Sequence, residues 1–214
     1  MQLNEALAHI GAVYDLNPED LQRYAAEDQL GGYHSDAAQQ RWHIGSLWGV
    51  EGQVLYALVR AMKPKQVVEL GSFRGCSSHH IAQALLTNAL EGKPGTLICV
   101  DKAFEYTLPE SDSPLNGVIQ HIQGDAVDYI ENQMPAKKVD LIFEDLDHYP
   151  ETVTPVWKAA QEKLKKGGFI VSHDAMHYIA GVNVRFGILA AGVLDANLYL
   201  IEPSDCGLAV WRKP

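Results

Sequence analysis

The sequence predicts an α/β fold built on a doubly wound, mostly parallel sheet. From Lys65 onwards, short apolar runs rich in β-branched residues alternate with segments of helical pattern. A glycine turn follows the first of these runs, and two closely spaced strand patterns end the chain. Because such alternation places helices on both faces of a parallel sheet, and 214 residues suit one sheet better than two, we expect one compact domain.

The N-terminal residues 1–62 predict a helical cap or lid packed on a core of residues 63–214. The predicted cap helices are Leu3–Val13, a second helix capped by Asn17 with Pro18 in its first turn, and Gly49–Met62. Between the second and third helices, the segment around Gly31 and Gly32 is too rich in glycine for regular structure. It is either a flexible joint or a lid over a site, and both alternatives stay open.

Seven strands are predicted in the core. Five parallel strands are expected at Gln66–Leu70, Thr96–Asp101, Val118–Gln123, Val139–Phe143 and Gly168–Ser172. The expected crossover helices are Cys76–Leu90, Asp125–Asn132, Glu151–Leu164 and Ile179–Leu194. Leu198–Ile201 and Leu208–Trp211 are joined by a turn too short for a crossover helix, so these two strands must pair antiparallel and the last strand is reversed.

The composition argues against several classes of partner. Lys and Arg number 17 and Asp and Glu 27, which gives a net charge of −10 and makes a nucleic-acid substrate unexpected. No apolar run reaches the ~20 residues of a membrane span, and the N-terminus lacks a signal-peptide pattern, so we expect a cytoplasmic protein without a membrane partner. Cys76, Cys99 and Cys206 show no zinc-type spacing with one another or with histidine, which predicts reduced, buried thiols.

The turn after the first strand, Glu69–Gly75, leads into a helix whose free N–H groups favour an anionic ligand group. A dinucleotide site needs glycine where Phe73 stands, so the bulk of Phe73 argues against a pyrophosphate. S-adenosylmethionine has no pyrophosphate, and Ser72, Ser77, Glu69 and backbone amides offer partners for its carboxylate and ammonium groups. The alternative is an ordinary strand-to-helix turn.

Two further strand ends favour a nucleoside ligand. Asp101 ends the second strand, where a carboxylate can accept both hydroxyl hydrogens of a ribose. After the third strand, Asp125 lies either near an adenine ring or at the cap of the next helix. The remaining residues expected at the cofactor are Gly71, Phe73, Gly75, Lys102, Gly124, Ala126, Glu144 and Asp145.

These motifs resemble those of class I S-adenosylmethionine-dependent methyltransferases, and more narrowly of small-molecule O-methyltransferases of the macrocin and catechol types. The resemblance extends from Lys65 to Lys213 and rests on Val68–Gly75, Val100–Asp101, Gly124–Asp125, Asp140–His148 and Gly167–Asp174. It implies a Rossmann-like seven-stranded sheet with an antiparallel end, S-adenosylmethionine as methyl donor, and an oxygen of a small molecule as acceptor. The identity of that acceptor stays open.

Acidic residues follow the fourth and fifth strands, which end at the same rim of a parallel sheet. Asp145 and Asp147 follow the fourth strand, and Asp174 follows the fifth. Carboxylates that converge repel one another unless they are protonated or share a cation, and oxygen ligands suit Mg²⁺. The resemblance implies Asp145 and Asp174 as metal ligands, but Ala175 replaces the third ligand. Either His173, Asp147 or His177 compensates, or the metal is absent.

The resemblance also implies a general base. His148 lies three residues after Asp145, where the catechol-type enzymes carry theirs, and an imidazole titrating near neutrality can take a hydroxyl proton. Alternatively, His148 orders the loop before Pro150. His173 and His177 are second choices for the base, or partners that orient Asp174.

Other functions remain as alternatives. The chain could bind S-adenosylmethionine for another reaction, of hydroxylase or lyase type; product analysis separates these. A nicotinamide-dependent oxidoreductase is disfavoured by Phe73. A non-catalytic binding module would have no use for the acidic rim. For assembly we expect a homodimer, the commonest oligomer.

Overall fold

The computed structural model describes residues 1–28, 30, 46–104, 109, 111–147, 149–177 and 192–214. Within these residues the strands are β1 (Gln66–Leu70), β2 (Thr96–Asp101), β3 (Ile119–Gln123), β4 (Val139–Glu144), β5 (Leu164–Ser172), β6 (Asn197–Tyr199) and β7 (Leu208–Arg212). They form one seven-stranded sheet in the order β3-β2-β1-β4-β5-β7-β6. β1 to β5 are parallel, whereas β7 runs antiparallel to both β5 and β6. The predicted doubly wound sheet with a reversed last strand is confirmed.

The strand order positions a ligand crevice. From β1 the chain moves outward through β2 to β3 and then returns to the other side of β1 as β4. Leu70 at the carboxyl end of β1 pairs with Val100 on β2 and with Glu144 on β4. Because crossovers leave in opposite directions at this point, the loops after β1 and β4 separate and open a crevice at the sheet rim.

The described helices are α1 (Leu3–Tyr14), α2 (Pro18–Glu27), α3 (Gly49–Met62), α4 (Cys76–Leu90), α5 (Ala126–Asp128) and α6 (Pro150–Lys163). Asn17 caps α2, since its side-chain oxygen accepts from the backbone N–H of Glu19 at 2.9 Å, as the sequence predicts. None of the helices in the described part of the chain is long and apolar enough to cross a membrane.

Alternation along the strands divides the core between the two sheet faces. Val67 and Phe143 point to the face that α1 to α4 cover, and they join one buried cluster with Leu55 of α3. Val68 of β1 points to the opposite face, where it joins a second buried cluster with Trp157 of α6. The N-terminal helices therefore pack directly on the sheet, and the Tyr14 hydroxyl donates to the carbonyl of Val210 at 2.5 Å.

Three elements differ from the sequence prediction. β5 begins at Leu164 rather than at Gly168, because the chain enters the strand directly from α6 and absorbs an irregular register opposite Val139 and Leu141. A 3₁₀ helix over Pro114–Val118 had no predicted counterpart. The helix expected after Asp125 is a short α5 followed by a π-helical turn to Gln133. The helix predicted over Ile179–Leu194 and the Gly31-Gly32 segment lie mostly or wholly outside the described residues.

Candidate active site

The glycine turn lies against the end of β4. Gly71 has a φ of +83°, and a Cβ at this position would lie 2.2 Å from the carbonyl oxygen of Asp145. The backbone N–H of Asp145 donates to the carbonyl of Leu70 at 2.9 Å, which fixes this approach. Gly75, with a φ of +81°, caps α4. Phe73 lies between them with a φ of +45° and is 47% exposed, so its ring extends from the turn towards solvent.

Glu69 holds the turn together from inside the protein. Its buried carboxylate accepts hydrogen bonds from the hydroxyls of Ser72 at 2.9 Å, Ser77 at 2.6 Å and Ser78. Burial raises the pKa of Glu69, and these hydroxyls oppose that rise. The side chains predicted to hold the cofactor's ammonium and carboxylate groups therefore bond to one another and tie the turn to α4.

Asp101 connects the end of β2 to the same turn. One carboxylate oxygen accepts from the backbone N–H groups of Ser72 at 2.8 Å and Phe73 at 3.0 Å. The other oxygen accepts from the backbone N–H of Ala103 at 3.2 Å. These bonds fix the carboxylate at the edge of the crevice.

A cavity of about 200 Å³ opens beside Asp101 at the strand ends. It is lined by Gly71, Asp101, Lys102, Asp125, Ala126, Val127, Asp145, Leu146, Asp147 and Thr152. All but three of these lining residues, namely Val127, Leu146 and Thr152, were predicted to belong to the site. The structure thus brings together predicted residues from four separate loops.

Asp125 has the capping role that the sequence left open. Its carboxylate accepts from the backbone N–H groups of Val127 at 2.9 Å and Asp128 at 3.1 Å, and the bond from Asp128 contributes most to its lowered pKa. Asp125 also lines the cavity, 3.5 Å from the Lys102 ammonium. Gly124, whose N–H donates to the carbonyl of Asp101 at 2.9 Å, joins these loops.

Glu144 is buried beneath the rim rather than exposed in the cavity. One of its oxygens accepts from the backbone N–H of Leu146 at 3.1 Å. Burial raises the pKa of Glu144 to about 7, and the nearby charge of Asp145 adds to that rise. Near neutral pH this carboxyl group is therefore about half protonated.

His173 lies between carboxylates at the acidic rim. Its Nδ1 is 3.2 Å from Asp145 and 3.4 Å from Asp174, and its Nε2 is 2.9 Å from Glu51. Burial disfavours the charged imidazole, but Asp145 and Glu51 outweigh it and raise the pKa of His173 well above its ordinary value. The imidazolium of His173 thus supplies a positive charge among the carboxylates, where a shared cation was one of the alternatives that the sequence left open. A protonated imidazole donates hydrogen bonds and cannot accept a proton from a substrate.

Glu51 is a site residue that sequence reasoning missed. It lies in the first turn of α3 and is fully buried. One oxygen accepts from the Ser204 hydroxyl at 2.5 Å and the Gly207 N–H at 2.8 Å, and the other faces His173. The available signal was an acidic residue within the otherwise apolar helix Gly49–Met62, a position where charge is buried only when it is paired.

The residues proposed for Mg²⁺ do not form an all-oxygen site. Asp147 lines the cavity and accepts from the backbone N–H of Tyr149 at 3.3 Å. Asp145 and Asp174 both face His173. Among the described residues, no group of three or more ligand atoms within 4.8 Å of one another includes Asp145 or Asp147, and Asp174 groups instead with His173 and Cys206. These residues do not fit Mg²⁺, which the sequence had left as one of two alternatives. His148 lies outside the described residues.

Solved structures share this fold. The O-methyltransferase TomG from Streptomyces achromogenes, solved in complex with SAM, is 15% identical with a TM-score of 0.58, covering 98% of this chain and 96% of that one. A methyltransferase from Geobacter sulfurreducens is 20% identical with a TM-score of 0.59, covering 96% of both chains. The O-methyltransferase from Bacillus cereus, in complex with SAH, is 14% identical with a TM-score of 0.58, covering 98% and 97%. The fold is therefore that of Rossmann-like methyltransferases.

The family follows from the sequence. A model of the methyltransferase domain matches residues 68–175, which is 108 of the 214 residues and includes the glycine turn, the cavity loops and the acidic rim. The chain belongs to this methyltransferase family. No curated protein sequence matches the chain.

Proposed function

We propose that the protein transfers the methyl group of S-adenosylmethionine to an oxygen atom of a small-molecule acceptor. The main support is the position of Asp101, whose carboxylate is held by two backbone amides of the glycine turn at the edge of the cavity. A carboxylate has several acceptor sites, so Asp101 can take ribose hydroxyls while it keeps its backbone bonds. The complexes of TomG with SAM and of the Bacillus cereus enzyme with SAH support this cofactor.

The cavity fits a nucleoside without a pyrophosphate. Asp125 and Lys102 border it on the side of β3, while Asp145 and Leu146 border it on the side of β4. Phe73 occupies the turn position where dinucleotide-binding proteins have a glycine that lets the backbone approach the pyrophosphate. Its side chain therefore disfavours a nicotinamide dinucleotide. We therefore assign the cofactor's ribose to Asp101 and its base to the loop of Asp125 and Ala126.

The acidic rim is assigned to the acceptor. When bound, S-adenosylmethionine supplies a sulfonium methyl group; the acceptor oxygen bonds to its carbon as the carbon–sulfur bond breaks and leaves its electron pair on sulfur. Asp145 lines the cavity, where its carboxylate can accept a hydrogen bond from the acceptor hydroxyl, and His173 holds Asp145 in place from the buried side. The proposed base for the hydroxyl proton is His148. Most of the rate enhancement then comes from holding the two reactants in line.

The proposal is tested by following a labelled methyl group. The purified chain is incubated with S-adenosylmethionine labelled in its methyl group and a panel of phenols, catechols and sugar alcohols, and the products are identified by mass spectrometry. We expect S-adenosylhomocysteine and an O-methylated product in equal amounts. A hydroxylated or cleaved product would instead indicate another reaction type.

Asp101→Asn tests the cofactor assignment. Because an amide nitrogen cannot accept the ribose or backbone hydrogens, we expect the affinity for S-adenosylhomocysteine to fall by about tenfold or more, which corresponds to one charged hydrogen bond. Asp128→Asn is the matched control, since Asp128 is exposed, next to the same loops, and absent from the cavity lining. Equal affinities in the two variants would remove Asp101 from the site.

A further inference from the structure

Two loops beside the acidic rim bring a sulfur, an imidazole and a carboxylate together. His177, from the loop after β5, and Asp205 and Cys206, from the turn between β6 and β7, each offer a ligand atom within 4.8 Å of the other two. We propose that these three residues bind one divalent d-block cation of the zinc class. This site shares only His177 with the residues considered for Mg²⁺, and it does not depend on the methyl-transfer proposal.

The donor set selects the kind of ion. Thiolate and imidazole are preferred ligands of zinc and its neighbours, whereas Mg²⁺ requires oxygen ligands. Zinc binds sulfur at about 2.3 Å and nitrogen or oxygen at about 2.0 to 2.2 Å, so its ligand atoms lie up to roughly 4 Å apart. The three donor atoms, which lie within 4.8 Å of one another, are close to this spacing.

The backbone holds the two loops in register. The N–H of Met176 donates to the carbonyl of Cys206 at 2.7 Å, and the N–H of Ala175 donates to the carbonyl of Gly207 at 3.1 Å. The buried carboxylate of Glu51 also accepts from the N–H of Gly207. The protein therefore pays little entropy to bring the ligands together, because their backbones are already fixed.

His177 and Asp205 each have a partner that orients the side chain. His177 Nδ1 is 3.0 Å from Asp174, which matches the carboxylate–histidine pairs that orient metal-binding imidazoles. The indole N–H of Trp48 donates to Asp205 Oδ1 at 3.1 Å. The Cys206 thiol lies 3.4 Å from the same Asp205 oxygen, and the ion would displace its proton.

The three residues are accessible to an ion from solvent and leave one coordination position open. Cys206 is buried, whereas the His177 side chain is 43% exposed and Asp205 is exposed, so an ion can enter from solvent. His173 is excluded as a ligand because both of its nitrogens face carboxylates. Three protein ligands leave a fourth position for water or an acceptor oxygen, as in catalytic zinc sites.

Cobalt substitution tests the site on the full chain. Chelator-treated protein is titrated with Co²⁺, and sulfur-to-cobalt charge-transfer absorption in the near ultraviolet reports a thiolate ligand. We expect one equivalent to produce the band and Zn²⁺, but not Mg²⁺, to abolish it. Cys206→Ser should remove the band, while Cys76→Ser and Cys99→Ser, which alter the other buried thiols, should keep it.

A second variant keeps the test valid if the buried substitution disturbs folding. His177 is partly exposed, so His177→Gln leaves the core intact and should weaken Co²⁺ binding on the order of 100-fold. Circular dichroism and S-adenosylhomocysteine affinity of this variant should match those of the unaltered protein. No charge-transfer band in the unaltered protein, or an unchanged band and affinity in His177→Gln, would overturn the proposal.

Discussion

His173 shows at the scale of single residues how this rim accommodates several carboxylates. Its imidazolium contacts Asp145 and Asp174 on one side and Glu51 on the other, in a position with almost no solvent. Charges buried in this way are stable only as a mutually compensating set. Removing one of the carboxylates therefore changes the pKa of His173, and titration can detect that change.

Glu51→Gln is predicted to lower the pKa of His173. The substitution keeps the shape of the side chain but removes one of the three carboxylates that raise that pKa. NMR titration of the His173 ring measures the shift, and a lower melting temperature should accompany it. Glu19→Gln, at an exposed first-turn position of α2, is the control and should change neither value. A His173 pKa that is the same in both variants would contradict the charge pairing.

Glu144 is predicted to make stability depend on pH. Its folded-state pKa of about 7 lies above its ordinary value of 4.5, so its contribution is complete below pH 4.5 and is lost as the pH rises through 7. Glu144→Gln mimics the neutral acid and should remove that loss, which is on the order of 3 kcal/mol. Urea denaturation at several pH values measures it, with exposed Glu162→Gln as control. The prediction fails if the two variants follow the same pH curve.

Contacts between distant residues explain what the sequence could not predict at this scale. Asp101, Asp125 and Asp145 follow strand ends, so topology alone places them at one rim. The pairing of Glu51 with His173 depends instead on how α3 packs against the sheet. The grouping of His177 with Cys206 likewise depends on the turn before β7, and neither contact leaves a local spacing pattern.

At the scale of elements, the glycine turn is fixed by the close passage of β4. Gly71→Ala should destabilise the protein because the new Cβ would clash with the Asp145 carbonyl and the φ of +83° is strained. Gly92→Ala is the control, since its φ of +77° is similar but nothing lies within 4 Å. The control should cost about 1–2 kcal/mol and Gly71→Ala clearly more. If urea denaturation gives equal losses in the free energy of unfolding for the two variants, the turn can accommodate a Cβ at position 71 without a clash.

Strands and helices were predictable where the hydrophobic pattern of a segment and the turn residues at its ends indicate the same element. β1 and β2 have the predicted bounds because each is an apolar, β-branched run with turn residues at its ends. The start of β5 was missed because Lys165, Lys166 and Gly167 lack strand character; Leu164 pairs with Val139 of β4, and these three residues lie in the irregularity before pairing resumes at Phe169. Tertiary contacts overrode local preference there.

At the scale of the whole molecule, we propose that the N-terminal helices belong to one cooperative unit with the sheet. Leu7 of α1 is fully buried in the cluster that also contains strand residues, whereas Val13 of the same helix is 44% exposed. Leu7→Ala should cost about 2–5 kcal/mol and Val13→Ala less than 1 kcal/mol. Urea denaturation followed by circular dichroism and by tryptophan fluorescence should give coincident transitions. Separate transitions would make α1 an independent cap.

The crevice between β1 and β4 is predicted to bind S-adenosylmethionine. Titration calorimetry of S-adenosylmethionine and S-adenosylhomocysteine into chelator-treated protein, with and without Mg²⁺, measures this binding. We predict one bound molecule of either ligand per chain in both conditions, and no binding of NADH. If neither S-adenosyl compound binds in either condition, the crevice is not a site for S-adenosylmethionine.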